Sequence, residues 1–282
     1  MRVGFTSDIH IDLNGPVVLE ALVERARVAA PDVLVIAGDI ATGATTYLQT
    51  LLALRAVVPR LLVVAGNHDV WTTPEAAAKG LHSWARLDKL LPALCAEAGA
   101  ELLDAGPIEI DGVGFAGTLG WYDLTTREHL LDAPMEAYRK GVWEGLRWTD
   151  HTYTVWPDAD GAPMPMEEVA RVLRERFAAH LASLTTRRIV SVTHTLPFME
   201  QIHRKEHPGW RFVNAFMGSL PLGDVIKANP RVVLSISGHT HLHSDLRFGR
   251  MRAVVTPLGY KKEWHGATPE AAVEKSLKVV EV

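Results

Sequence analysis

The sequence predicts an α/β fold in which two mixed β-sheets pack face to face and helices cover the outside. Three observations carry that expectation. Five short apolar runs, at residues 2–6, 33–37, 61–65, 188–192 and 232–236, are rich in β-branched residues and read as strands buried on both faces. Helical spacing separates the first three runs, which gives a β-α-β-α-β unit with right-handed crossovers and a largely parallel sheet. The chain closes on strand-like runs near 243–248, 251–256 and 277–280, so both parallel and antiparallel pairing are expected.

Each element has its own signals. Asn14-Gly15-Pro16 ends a loop and starts a helix with proline in the first turn. Residues 17–30 continue it, with Glu20, Glu24, Arg25 and Arg27 on the polar side. Pro31-Asp32 precedes the second strand, and residues 45–57 read as a second helix stopped by Pro59. Thr73-Pro74-Glu75 caps a third helix, expected to run to about Gly99 with a kink or break at Pro92. Residues 108–110, Asp111-Gly112 and 113–115 form a β-hairpin with a type I′ turn. Residues 166–184 are an amphipathic helix ahead of the fourth apolar run.

The stretch from 118 to 165 is too long for a simple connection. It holds Trp121, Trp143, Trp148 and Trp156, half of the eight tryptophans, with Tyr122, Asp123, Tyr138 and Tyr153. Buried aromatic area ordinarily fastens such an excursion to the body, and packing is expected for Trp143, Trp148 and Trp156. Trp121 and Tyr122 follow the 113–115 strand closely, and they are the candidates for an aromatic wall against a substrate.

Composition sets wider bounds. The 282 residues are 48% hydrophobic and 22% charged, enough apolar material for a sizeable core. One domain over 1–282, with a Trp-rich insertion at about 118–165, is expected, because candidate site residues come from both ends of the chain. The net charge of −4 gives no support for general nucleic-acid binding. Cys95 is the single cysteine, which excludes an intrachain disulfide and a cysteine zinc site. No run of about 18 apolar residues predicts a membrane span. The first strand begins at Arg2 and leads directly into candidate site residues, so no cleaved leader is expected and the cytoplasm is the expected location. Nothing in the sequence sets an oligomeric state.

Behind the five apolar runs stand seven residues of metal-ligand type. They are Asp8 and His10 in Ser7-Asp8-Ile9-His10, Asp39 in Gly38-Asp39, and Asn67 in Gly66-Asn67-His68-Asp69. His194 in Thr193-His194-Thr195, with His239 and His241 in Gly238-His239-Thr240-His241, completes the set. Imidazole, carboxylate and amide oxygen suit a divalent Mn, Fe, Zn or Co ion. One catalytic metal needs about three protein ligands, so seven fit two ions sharing a bridging carboxylate. Ligand sites in open α/β sheets gather beyond the carboxyl ends of strands, and five such ends point to one place here. Taken singly, each motif reads as a turn; the order behind five strands is what argues for a site. His203 and His207, with Arg204, Lys205 and Arg211, are expected in a solvated loop.

The order Asp-x-His, Gly-Asp, Gly-Asn-His-Asp, His, Gly-His-x-His resembles that of the calcineurin-like metallophosphoesterases. The resemblance runs from residue 8 to 241 and implies a four-layer αββα sandwich. It implies that Asp8, His10 and His241 hold one metal, that Asn67, His194 and His239 hold the other, and that Asp39 bridges. His68 takes the place of the non-ligand histidine that protonates the leaving group. Two departures stand out. Many members read Gly-Asp-x-x-Asp, whose last Asp orients that histidine, and Thr42 stands there instead. Thr42, Asp69 or a more distant group must then orient His68. The Asp-Arg-Gly of the protein phosphatases is also absent, which argues against a phosphoprotein substrate.

The chemistry expected is hydrolysis of a phosphomonoester or phosphodiester. An ester anion repels hydroxide and water is a poor nucleophile at neutral pH; two cations meet both problems, and an imidazole can protonate the departing alkoxide. A small soluble phosphate ester such as a nucleotide is the preferred partner. The rival readings are a DNA or RNA phosphodiesterase, which would need a local basic groove, and a non-catalytic interaction module, which should have lost several of the seven ligands.

Overall fold

The computed structural model describes residues 1–282. Its main strands are β1 (Arg2–Thr6), β2 (Val33–Ala37), β3 (Leu61–Val64), β4 (Glu101–Leu102), β5 (Ile108–Ile110) and β6 (Val113–Thr118) in the first half. A small hairpin, β7 (Val142–Trp143) and β8 (Leu146–Arg147), precedes β9 (Arg188–Thr193), β10 (Val232–Ser237), β11 (Ser244–Phe248), β12 (Met251–Val255) and β13 (Lys278–Glu281). One sheet has the order β13-β1-β2-β3-β4, with β1 to β4 parallel and β13 antiparallel at its edge. The other has the order β11-β12-β10-β9-β6-β5, with four parallel strands between antiparallel edges β11 and β5. Both sheets are mixed, as expected.

Strand alternation sorts the side chains into layers. Val3, Phe5, Val33, Val35, Leu62 and Val64 of the first sheet meet Val113, Phe115, Val190, Val192, Leu234 and Ile236 of the second. Leu34, Ile36, Leu61 and Val63 point the other way, onto Leu22, Leu51 and Leu91 of the helices Pro16–Ala29, Ala44–Arg55 and Leu91–Ala98. Ile189 and Ala253 face outward onto Phe177 and Ile226 of the helices Met166–Ser183 and Leu220–Lys227. The result is helix, sheet, sheet, helix. Apolar residues on both faces of each sheet explain why the strands read as continuous runs. No helix is long and apolar enough to cross a membrane.

The hairpin turn is as expected, with φ 47° at Asp111 and 80° at Gly112, the two positive values that a type I′ turn requires. The third helix is not one helix. It stops after Pro74–Ala78, where Gly80 takes φ 91°, resumes at Ser83–Ala85, widens into a π turn at Arg86–Leu90, and ends as Leu91–Ala98. Pro92 lies in the first turn of that last piece, where its missing N–H costs little. The interruption places Arg86 beneath the loops that follow β2 and β3: its Nε donates to Asp69 O (2.9 Å) and its guanidinium to Thr42 O (2.6 Å).

The Trp-rich stretch folds as a short helix (Met135–Lys140), the β7–β8 hairpin and a helical turn (Asp150–Tyr153). Trp143 stacks on Phe212 and Trp148 on Phe216, with centroids 5.5 and 5.2 Å apart. Trp156 packs edge-on against Trp84 and Trp121. These contacts fasten the excursion to the core beside the site.

Candidate metal centre

The seven candidate ligands meet beyond the carboxyl ends of β1, β2, β3, β9 and β10. The local backbone is unusual. Ten non-glycine residues have positive φ, and five are candidate ligands: Asp8 (53°), His10 (40°), Asp39 (56°), His239 (72°) and His241 (53°). Each such residue costs on the order of 1–3 kcal/mol unless its surroundings hold it. Here they do. Asp8 N donates to Gly38 O and His10 N to Asp39 O, both at 3.0 Å. The Asp69 carboxylate accepts from the amides of Asp39 (3.0 Å), Ile40 (2.9 Å), Ala41 (3.0 Å) and Gly66 (2.7 Å), so it clamps the β2 and β3 loops together. Gly66 allows this closeness: a Cβ there would land on the Asp39 carboxylate.

Three of the ligand groups form an inner half. His194 Nε2 lies 2.8 Å and His239 Nδ1 3.0 Å from Asn67 Oδ1. A carbonyl only accepts. His194 Nδ1 must therefore carry the proton donated to Ala37 O (2.8 Å), and His239 Nε2 the one donated to Phe216 O (3.0 Å). Asn67 Nδ2 donates to Asp150 Oδ1 (2.9 Å), which turns Oδ1 toward the histidines. With both rings neutral, three bare acceptors face one another. A cation resolves that repulsion, and a fixed outer N–H on a ring is the usual support of a metal-binding histidine.

Asp8, His10 and His241 form an outer half. Ligand atoms of these three and Asp39 lie within 4.8 Å of one another. His10 Nε2 and His241 Nε2 are 3.1 Å apart, and His241 Nδ1 donates to Glu263 Oε2 (2.8 Å). Asp39 stands between the halves, with Oδ1 3.5 Å from His194 Nε2 and Oδ2 3.5 Å from His10 Nε2. Without a cation the cluster neutralises itself with protons. Burial opposes charge on His194 and His241, but Asp39 overrides it at His194, raising it to about 9, and Asp8 with Glu263 raises His241 to about 10. Burial drives His10 down to about 3 and His239 to about 4. The buried Asp8 is held at about 2 against desolvation by His241. A divalent ion would take the place of the protons on His194 and His241, so the donor set fits such ions.

His68 belongs to neither half. Its backbone N–H donates to Asp39 Oδ1 (2.9 Å), while its ring stacks on Trp71 (centroids 3.7 Å apart) and its Nε2 lies 3.5 Å from Tyr260 Oη. Asp69 is committed to backbone amides, and Thr42 is engaged through its own backbone, its N–H to Asp12 and its carbonyl to Arg86.

The chain matches the calcineurin-like phosphoesterase family over residues 1–243. It belongs to that family. The calcineurin-like phosphoesterases are hydrolases of phosphate esters, and this chain is one of them. Solved structures agree on the fold. The phosphopantetheinyl hydrolase of Mycobacterium tuberculosis superposes with a TM-score of 0.72 at 19% identity, over 99% of this chain and 95% of that one. The Thermus thermophilus protein TT1561 gives 0.51 at 14% identity, over 99% and 98%. At these identities the likeness is one of fold. No curated protein matches the chain.

This phosphoesterase has site residues that carry no sequence signal. Asp150, in the Trp-rich stretch, is buried and accepts from Asn67 Nδ2, Trp71 Nε1 (2.6 Å), Tyr122 Oη (3.3 Å) and Trp148 Nε1 (3.1 Å). Tyr260 and Glu263 arrive from the segment after β12. Trp121 and Tyr122, the candidates for an aromatic wall, lie deep beside the site. Both are only 2% exposed, stacked on each other (4.6 Å), with Trp121 edge-on to Trp156 and Tyr122 tied to Asp150. Both rings nonetheless border a cleft of the Trp-rich stretch, together with Asp123, His151 and Trp156. The exposed aromatic near His68 is Tyr153, 40% exposed and stacked on Trp71 (4.8 Å). His203, Arg204, Lys205 and His207 lie on the exposed surface, as expected, whereas Arg211 sits half-buried in the helix Pro208–Val213, where its Nε donates to Glu128 (2.8 Å).

Proposed function

We propose that this phosphoesterase binds two divalent cations of the Mn, Fe, Zn or Co class and hydrolyses a small soluble phosphomonoester or phosphodiester, with nucleotides preferred. The observation that carries the reading is the meeting of His194 Nε2, His239 Nδ1 and Asn67 Oδ1, each turned inward by a partner on its far side. Asn67, His194 and His239 would hold one ion, Asp8, His10 and His241 the other, and Asp39 would give one oxygen to each. When bound, the ions supply Lewis-acid activation of water and of the phosphoryl group.

The chain's own groups do the rest. Asp8 and Asp39 are the only carboxylates in the ligand set, so two divalent ions leave an excess of positive charge facing an anionic ester. His68 stands beside Asp39 without joining either half, and it would give a proton to the departing oxygen. Asp8 and Asp39, held ionised, compete poorly for that proton. Tyr153 offers an outward ring on which a nucleobase can stack, a contact worth about 1–3 kcal/mol in nucleic-acid complexes.

The test is metal analysis joined to a hydrolysis panel. The panel spans p-nitrophenyl phosphate, bis-p-nitrophenyl phosphate, nucleotides, cyclic nucleotides, short DNA and a phosphopantetheinylated carrier protein. Chelation should abolish hydrolysis and Mn²⁺ should restore it. Tyr153→Ala should raise KM for a nucleotide more than for p-nitrophenyl phosphate. Full activity in excess chelator would refute the metal assignment, and DNA as the best substrate would refute the preference for small esters.

A further inference from the structure

The Trp-rich stretch contributes a buried carboxylate to a site in which Thr42 stands where the family motif has its last Asp. Asp150 is 1% exposed, and no arginine or lysine pairs with it. Its four partners are side-chain N–H and O–H donors, and they split by oxygen. Oδ1 takes Asn67 Nδ2 (2.9 Å) and Trp71 Nε1 (2.6 Å); Oδ2 takes Tyr122 Oη (3.3 Å) and Trp148 Nε1 (3.1 Å). The Oδ2 pair anchors the carboxylate to the packed aromatic layer. The Oδ1 pair reaches the reaction centre by two routes. One route sets the Asn67 amide, and so turns Asn67 Oδ1 toward His194 and His239. The other sets the Trp71 indole, whose face covers the His68 ring at 3.7 Å with an interplanar angle of 24°. Tyr153 closes the far side of Trp71 at 4.8 Å.

We propose that Asp150 is a positioning residue that governs both the inner metal ligands and His68, taking over through Trp71 the orienting role left open by Thr42. A single carboxylate oxygen thus aligns an amide ligand and an acid. Burial keeps it from turning away, because both oxygens would lose their donors. The His68 ring also meets His10 edge-on (centroids 4.7 Å apart), which offers it no hydrogen bond, and Tyr260 Oη, 3.5 Å from Nε2 and at the limit of a hydrogen bond. Tyr260 is the rival orienting group.

This inference rests on the metal-dependent reading above. The test uses the full chain with Mn²⁺ and three substitutions. Asp150→Asn keeps shape but turns one acceptor into a donor. Trp71→Phe keeps a ring for His68 to stack on and loses the bond to Asp150. Trp143→Phe changes a tryptophan of the same stretch that has no contact with Asp150. Two quantities are read: Mn²⁺ affinity by chelator competition, and the dependence of turnover on leaving-group pKa across aryl and alkyl phosphate esters. Asp150→Asn should weaken Mn²⁺ binding about 10–100-fold, as loss of an outer partner of a ligand does. It should also steepen the leaving-group dependence. Trp71→Phe should leave Mn²⁺ affinity within about threefold, yet cost alkyl esters about tenfold or more while sparing p-nitrophenyl esters. Trp143→Phe should change neither.

A uniform loss over all esters with unchanged Mn²⁺ affinity in Asp150→Asn would overturn the proposal. So would Trp71→Phe with wild-type leaving-group dependence while Tyr260→Phe steepens it. If Asp150→Asn fails to fold, Trp71→Phe decides alone. A wild-type protein that binds no Mn²⁺ or splits no ester would instead sink the metal-dependent reading, so the two failures are separable.

Discussion

The two halves of the centre are built from similar ligands but held in different ways. In the inner half, the outward nitrogens of His194 and His239 donate to main-chain carbonyls, Ala37 O and Phe216 O. Side-chain substitution cannot remove those acceptors, and His194 and Asn67 are almost fully buried. In the outer half, His241 relies on Glu263, whose side chain is 38% exposed, and His10 Nδ1 has no partner. Glu263 also lies beyond residue 243, where the family match ends. The inner histidines are thus fixed by main-chain carbonyls, with Asn67 set by the buried Asp150; in the outer half the main chain supports Asp8, through His239 N (2.8 Å), while His241 leans on a surface carboxylate of a late segment. The expected consequence is one tight and one exchangeable ion.

The largest effect should come where the halves join. Asp39→Asn should remove both ions and abolish hydrolysis, whereas His241→Ala should leave one ion in place. Gly66→Ala should resemble Asp39→Asn, because the new methyl group would displace the Asp39 carboxylate. Metal content by mass spectrometry under non-denaturing conditions checks all three. Retention of two ions in Asp39→Asn would dissolve the shared-bridge account.

Next comes the outer half alone. Glu263→Gln should weaken one of two Mn²⁺ sites by about 10–100-fold and leave the other unchanged. Equal weakening of both sites, seen in a metal titration, would mean that the halves do not differ as described.

Proton release gives a smaller, pH-dependent effect. His194 and His241 are raised from 6.5 to about 9 and about 10 in the metal-free fold. Their charged forms therefore stabilise that fold fully below pH 6.5, and the contribution is lost as pH rises through 9 to 10. Metal loading near pH 7.5 should expel about two protons, and affinity should climb with pH until about 9–10. Calorimetry in buffers of different ionisation enthalpy counts the protons; a count near zero would contradict the assignment.

Much of the centre was legible because strand ends announce themselves. Each candidate ligand follows an apolar run, and the order of the motifs fixes the fold family. What stayed hidden reaches the site through tertiary contact. Asp150, Tyr260 and Glu263 sit in or beside single helical turns too short to show periodicity, and the site groups they meet are distant in sequence: Asn67 lies 83 residues from Asp150. The clamp role of Asp69 was likewise invisible, since main-chain amides leave no trace in residue type. The depth at which Trp121 sits was hidden for a related reason. Nearness to the end of β6 sets how far a residue can reach, but not toward which layer it turns. Trp121→Phe should accordingly have the smallest effect on activity, leaving KM unchanged while the cavity left by the smaller ring costs about 2 kcal/mol of stability. A selective rise in KM would restore it to the substrate wall. The break at Gly80 escaped because Pro92 looked like the stronger interruption, although proline is harmless in a first turn.

The most direct measurement is anomalous diffraction from a Mn²⁺-loaded crystal. The account predicts two ions about 3.5 Å apart, one against Asn67, His194 and His239, the other against Asp8, His10 and His241, with Asp39 touching both. A single ion at full loading, or two ions that do not share Asp39, would contradict it.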